Sequence, residues 1–179
     1  MKDRFIPDHN KHSYYPLLYL ALEETNGDVL ELGTGEGSTQ LLHDYIKPFK
    51  DRMLFSFDEK EHYYNLVKDL QTDQHQIFLV KDWDIVSQNF YNADVVFIDH
   101  APGERRKEDI VNFKDTKGIL VIHDTEPAAD HGYQMRQHFP LFKYKVEVKT
   151  NGAWATALSQ DIDLTKWIGT KFGDYIISE

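Results

Sequence analysis

Five short apolar runs, separated by amphipathic stretches, constrain this chain more than any other feature. They are Asp28-Val29-Leu30-Glu31-Leu32, Met53-Leu54-Phe55-Ser56-Phe57, Gln76-Ile77-Phe78-Leu79-Val80, Asp94-Val95-Val96-Phe97-Ile98 and Gly118-Ile119-Leu120-Val121-Ile122. A strand covered on both faces reads as a continuous apolar run, as the second, fourth and fifth do. Helical periodicity fills the gaps. Residues 13–25 read as a helix capped by Ser13, with Leu17, Leu18 and Ala21 inward; residues 38–46 follow, stopped by Pro48. Residues 60–70 place Leu66, Val67 and Leu70 inward, and 104–113 carry Ile110 and Val111. Strands alternating with helices in this way specify an α/β fold with a mostly parallel sheet.

The last third changes character. Residues 131–139 read as a helix, and 142–149 and 153–158 as two strands joined at Asn151-Gly152, a hairpin signal. Lys143 to Lys149 alternates polar and apolar, as an exposed edge strand does. The tail from Asp161 carries Trp167, Ile168, Phe172, Tyr175, Ile176 and Ile177. That is too apolar for a free tail, so it docks on the parent fold or forms a dimer contact.

Lys and Arg number 20 against 30 Asp and Glu, a net charge of −10. An acidic chain lacks the footprint of a general nucleic-acid or anionic-membrane binder. Cysteine is absent, which excludes disulfides, thiolate zinc sites and thiol nucleophiles. Met1 to Asp8 shows no apolar signal region. The longest apolar stretch, Tyr14 to Leu22, is far below the roughly 20 residues of a membrane span. A cytoplasmic location is the expectation.

The most informative segment is Glu31-Leu32-Gly33-Thr34-Gly35-Glu36-Gly37-Ser38. Its glycines allow a tight turn and close approach of backbone to a ligand. The next helix offers unpaired N–H groups at its start. Asp58 closes the following strand, where a carboxylate can accept from both hydroxyls of a ribose. In the dinucleotide register, Ser38 stands where the last glycine belongs.

With its G-x-G-x-G turn, Glu31 ahead of it and Asp58 after it, the chain resembles the class I S-adenosylmethionine-dependent methyltransferases from about Val29 to Leu158. The resemblance implies a Rossmann-like, mostly parallel seven-stranded sheet with helices on both faces and an antiparallel C-terminal hairpin. The division is then one methyltransferase domain, 1–179, with an N-terminal helical cover (1–27), a core (28–160) and a tail (161–179). It also implies S-adenosylmethionine as cofactor, held by Glu31, Gly33, Thr34, Gly35, Gly37, Ser38 and Asp58, with Asp99 on the sulfonium side. Asp82 matches the position that receives the adenine amine, and Trp83 can stack on the ring. Tyr14-Tyr15 reads as a cover over the cofactor or the core.

Asp99-His100 and His123-Asp124 end two strands that the resemblance makes neighbours. They fall over the cleft outside the strand ends, where α/β sheets bind ligands. The set can hold a divalent metal or supply a general base. More narrowly, it resembles the catechol, caffeoyl-coenzyme-A and sugar O-methyltransferases. This implies magnesium or a similar ion on Asp99, Asp124 and Thr125, the last standing where the family has Asn. Pro102 occupies the position of the catechol-type lysine, so His100 or His123, with Asp99, is the candidate for deprotonating the acceptor. Arg105-Arg106 either begins a solvated helix or binds an anionic substrate group. The reading is O-methylation of a small-molecule acceptor by a monomer or homodimer. An NAD-dependent oxidoreductase, a non-catalytic cofactor-binding module and a metal phosphohydrolase are the alternatives.

Overall fold

A computed structural model describes residues 12–179; the leader reading of Met1 to Asp8 lies outside them. Helix α1 (Tyr15–Glu24) leads into β1 (Val29–Leu32), α2 (Ser38–Ile46), β2 (Leu54–Asp58), α3 (Glu61–Val67), β3 (His75–Leu79), α4 (Trp83–Phe90) and β4 (Val95–Ile98). Then come α5 (Arg106–Asn112), β5 (Ile119–His123), α6 (Pro127–Tyr133), β6 (Tyr144–Val148), β7 (Ala155–Ser159), β8 (Lys171–Phe172) and β9 (Tyr175–Ser178). The sheet order is β3-β2-β1-β4-β5-β7-β6-β9-β8. Strands β1 to β5 pair in parallel, and β7 joins β5 antiparallel.

Strand alternation divides the core in two. Val29, Leu54, Val95, Phe97, Ile119 and Val121 pack under α1 and α2. Leu30, Leu32, Val96, Ile98, Leu120 and Ile122 face Ile110, Phe113 and Val86 on the other side. Both faces of the central strands are dry, which is why their sequences are continuously apolar. No helix among the described residues is long and apolar enough to cross a membrane.

Several expectations are corrected. Among the described residues the sheet has nine strands, because the tail adds β8 and β9. β6 is no free edge: Glu147 and Val148 pair with Ser178 and Ile177 of β9. Its alternation comes from one dry face, with Val146 and Val148 in the core. The hairpin turn is not a tight Asn-Gly pair, since Val148 and Ala155 are the last paired residues. Thr150 braces the intervening loop: its hydroxyl accepts from Gly152 N–H and donates to the Ala153 carbonyl, both at 2.9 Å.

Ser13 does not cap α1; the cap position is Tyr14, and Pro16 in the first turn sets the helix start. Leu66 is exposed: Val67 is the buried residue of α3, and Leu70 falls half-buried in the 3-10 turn that follows. α4 was not expected from the sequence. The segment read as helix 131–139 is split between α6 and a 3-10 stretch, Arg136–Leu141, that contains Pro140.

Candidate active site

The ends of β1, β2, β4 and β5 open on a cavity of about 520 Å3. Its walls include Thr34, Gly35, Gly37, Ser38 and Asp58 on one side, and Asp99, Arg106, His123 and Asp124 on the other. Tyr14 and Tyr63 add aromatic surface.

The Gly-rich turn is braced from beneath by the two acids flanking it. Asp58 Oδ2 accepts from the Thr34 N–H at 2.8 Å and from its hydroxyl at 3.2 Å, while Oδ1 accepts from Lys60 N–H at 2.7 Å. Each carboxylate oxygen has two lone-pair sites, so acceptor capacity remains on the cavity side. Glu31 lies fully buried on the α2 side of the sheet. Its Oε1 accepts from the Thr39 hydroxyl at 3.1 Å, and the same Thr39 oxygen accepts from Gly35 N–H at 2.9 Å. Glu31 Oε2 has no hydrogen bond of good geometry among the described residues. Burial pushes this carboxyl up to about 7, although the hydroxyls of Ser56, Ser38 and Thr39 favour ionisation.

The three glycines serve different ends. Gly33 has φ 98°, and a Cβ there would come within 2.5 Å of the His100 amide nitrogen. It is fixed by the close approach of β1 to the end of β4, and it does not line the cavity. A Cβ on Gly35 meets nothing within 4 Å, so that position borders open cavity. Gly37 adjoins the Tyr14 hydroxyl, 2.8 Å from the ideal Cβ. Tyr14 is buried, packs on Phe97 and meets the His123 ring edge-on at 4.9 Å. Burial first, then the Asp99 charge, drives its hydroxyl far above the usual phenol range.

On the opposite wall a buried arginine organises the strand-end residues. Arg106 Nε donates to the His100 carbonyl at 2.8 Å. Nη1 reaches the His123 carbonyl at 3.1 Å and Asp124 Oδ2 at 3.2 Å. Nη2 reaches the Asp99 carbonyl at 3.0 Å and Asp99 Oδ1 at 3.1 Å. The fork therefore ties the ends of β4 and β5 together and gives each carboxylate a charged donor. His123 Nδ1 lies 3.3 Å from Asp99 Oδ1 and 3.6 Å from Asp124 Oδ1. Burial alone would lower its pKa; the Asp99 hydrogen bond and charge, with Asp124, outweigh burial and raise it, against Arg106. A carboxylate only accepts, so Nδ1 carries the proton and Nε2 is the basic nitrogen of the neutral ring.

Other sequence candidates lie elsewhere. His100 is buried, with Nε2 2.7 Å from Asp109 Oδ2, and Trp83 stacks on it at 4.3 Å. The Trp83 indole N–H donates to Glu59 at 3.3 Å. Asp82 is the exposed N-cap of α4 and accepts from Asp84 N–H at 3.0 Å. Thr125 is buried and accepts from the Thr156 hydroxyl at 2.8 Å. None of these four borders the cavity. The carboxyl–imidazole group that does converge is Asp99, His123 and Asp124, with ligand atoms within 4.8 Å of one another.

Sequence reasoning left Arg106 open between two readings and passed over Tyr63 and Glu36. The Arg106 partners are distant in sequence, and only the adjacency of β4 and β5 brings them together. Tyr63, which lines the cavity, carries no motif that separates it from other exposed residues; Glu36, which also lines it, stands inside the G-x-G-x-G turn, where the glycines drew the reading.

The sequence matches no family model and no curated protein. Its fold is similar to solved structures. Cofactor-bound Rv0187 from MTB is 15% identical, with a TM-score of 0.64 over 89% of this chain and 84% of that one. The O-methyltransferase TomG from Streptomyces achromogenes, in complex with SAM, is 17% identical, with a TM-score of 0.61 over 80% and 78%. A spermidine synthase from Thermotoga maritima is 16% identical, with a TM-score of 0.58 over 89% of this chain; the match spans only 60% of that protein. At these identities the likeness shows the fold alone, a Rossmann-like parallel sheet with antiparallel C-terminal strands and flanking helices.

Proposed function

We propose that this protein transfers a methyl group from S-adenosylmethionine to an oxygen of a small-molecule acceptor. One observation carries the reading: the Thr34–Ser38 turn with Asp58 and the Asp99–His123 pair wall the same cavity. The turn suits the cofactor on two counts. Gly35 borders open space, and Asp58 keeps acceptor capacity for ribose hydroxyls. When bound, this cofactor supplies an electrophilic methyl carbon on a cationic sulfur. An acidic cavity favours that charge, and holding the acceptor oxygen in line with the methyl group supplies most of the acceleration.

In this reading His123 is the general base. Asp99 fixes its tautomer and its ring, leaving Nε2 to take the acceptor proton as the oxygen becomes the nucleophile. A divalent metal does not fit the strand-end acids. The Arg106 guanidinium already lies 3.1 and 3.2 Å from the two carboxylates and would repel a second cation. Thr125 is turned to Thr156 and adds no ligand.

The test is a thermal-shift and calorimetric screen of S-adenosylmethionine, S-adenosylhomocysteine and NAD, with and without magnesium. Both sulfur compounds are expected to raise Tm, NAD and magnesium are not, and Asp58→Ala should weaken their binding at least about tenfold through two lost ribose hydrogen bonds. Failure of both sulfur compounds to stabilise the wild type, or unchanged binding by Asp58→Ala, would sink the reading.

A further inference from the structure

A second cavity of about 430 Å3 adjoins the first. It is walled by Ser13, His123, Thr150, Asn151, Asp174 and Tyr175 together with the backbone of the β6–β7 loop. His123 is the one residue common to the two linings, so both cavities reach the same imidazole. The wall away from the cofactor turn is made by the β6–β7 loop and the turn between β8 and β9, the strands that the tail adds to the sheet.

The chemistry of this second lining is uneven. Among the described residues it contains a carboxylate, an aromatic ring, an amide and hydroxyls, and no Lys or Arg. Asp174 is exposed to the cavity mouth and enters no ion pair among the described residues. Tyr175 beside it offers a ring face, the other group that attracts a cation. An independent feature lies in the same lining. Ser13 is only 4% exposed, and its hydroxyl has no hydrogen-bond partner among the described residues. A buried hydroxyl left unpaired costs free energy that a polar ligand group would recover.

We propose that this cavity is the acceptor subsite and takes a small hydroxyl-bearing amine, its ammonium group held by Asp174 and the Tyr175 ring and its hydroxyl presented to His123 Nε2. Ser13 gives the acceptor a hydrogen bond. The proposal rests on the methyl-transfer reading for the step that follows binding. The acceptor oxygen takes the methyl group, its proton passes to Nε2, and the electron pair of the broken carbon–sulfur bond stays on sulfur.

The binding claim is tested apart from catalysis. Isothermal titration would compare phenylethylammonium with neutral 2-phenylethanol, against the wild-type protein and Asp174→Asn, each with and without S-adenosylhomocysteine. Asp174 stands in an exposed turn, so its replacement by Asn leaves the fold intact. The cation should bind about tenfold more tightly than the alcohol, and Asp174→Asn should erase most of that preference. Equal affinities, no binding of either probe, or a preference that survives Asp174→Asn overturns the subsite. A cation preference in a protein that ignores S-adenosylhomocysteine would uphold the subsite and fail the methyl-transfer reading. S-adenosylhomocysteine binding without the preference would do the reverse.

Discussion

The two walls of the first cavity both end in carboxylates, and they satisfy them by different means. On the turn side, Asp58 is satisfied by N–H and O–H groups of the turn and by the amide of Lys60. These are fixed dipoles that leave the negative charge in place. On the far side, Asp99 and Asp124 share a buried guanidinium, a full positive charge. The first wall therefore keeps its full carboxylate charge, and on the second the guanidinium offsets one of the two negative charges. Strand-end acids that look equivalent in sequence differ in what they can hold.

Removing Arg106 breaks this contrast most severely. Losing one partner of a buried charge pair costs about 3–5 kcal/mol when the other is left unpaired. Asp99 and Asp124 keep about a quarter of their side-chain surface, which permits some relief by water, so Arg106→Met should lose about 3 kcal/mol. Denaturant unfolding measures it. The variant should also gain what the wild type lacks, stabilisation by magnesium or manganese. Equal metal response in both proteins would show that the guanidinium does not decide the matter.

The glycine pair sharpens the turn-side wall. Gly33→Ala forces a positive φ on alanine and drives its Cβ into the β4 end, so a loss of at least about 2 kcal/mol is expected. Gly35→Ala meets nothing and should cost less than about 1 kcal/mol of stability. Its effect should fall on cofactor binding, because the new methyl group enters ligand space. If Gly35→Ala binds S-adenosylhomocysteine as tightly as the wild type, the ligand does not approach the turn there.

Glu31 tests the turn side through pH. Its folded pKa, about 7, lies above the ordinary 4.5. Between these values the folded chain holds a proton that the unfolded chain has released. Stability is therefore fullest below pH 4.5 and falls as pH rises to about 7. The expected loss is about 1–2 kcal/mol, less than full burial of the charge implies, because a loosened site admits water. Glu31→Gln should flatten that slope, read from unfolding midpoints between pH 4.5 and 8. A slope that persists in the variant would assign the titration elsewhere.

The contrast also explains how much was legible beforehand. The turn-side wall is local: Glu31, Gly35 and Thr39 are close neighbours in sequence, and Asp58 ends the next strand. Its motif could be read directly, as could the five buried strands, because a dry strand leaves a continuous apolar run. The far wall depends on β4 lying beside β5, and the Arg106 clamp crosses 7 and 18 residues to its acids. β9 needs the β6 edge as a template and β8 needs β9; β8 is only two residues long, and the Tyr175-Ile176-Ile177 run of β9 read simply as an apolar tail. Helix α4 was legible and passed over. Trp83, Val86, Ser87 and Phe90 keep helical spacing behind an Asp cap, but Asp82-Trp83 also matched an adenine-binding pair.

That double reading of Asp82 yields the smallest predicted effect. An N-cap carboxylate replaced by alanine typically costs about 1 kcal/mol, and asparagine caps nearly as well. Asp82→Ala should therefore lower stability by about 1 kcal/mol, and Asp82→Asn should leave it almost unchanged. Cofactor affinity separates the two roles. A cap alone predicts that Asn binds S-adenosylhomocysteine like the wild type and that Ala loses little. An acceptor for the adenine amine keeps partial function in Asn, whose carbonyl still accepts, and loses about tenfold in Ala. Asp82 points its Oδ1 at Asp84 N–H and lies outside the cavity lining, so the cap outcome is expected. A tenfold loss in Ala alone would mean that α4 shifts its first turn toward the cleft when the cofactor binds, and would extend the turn-side wall to a third strand end.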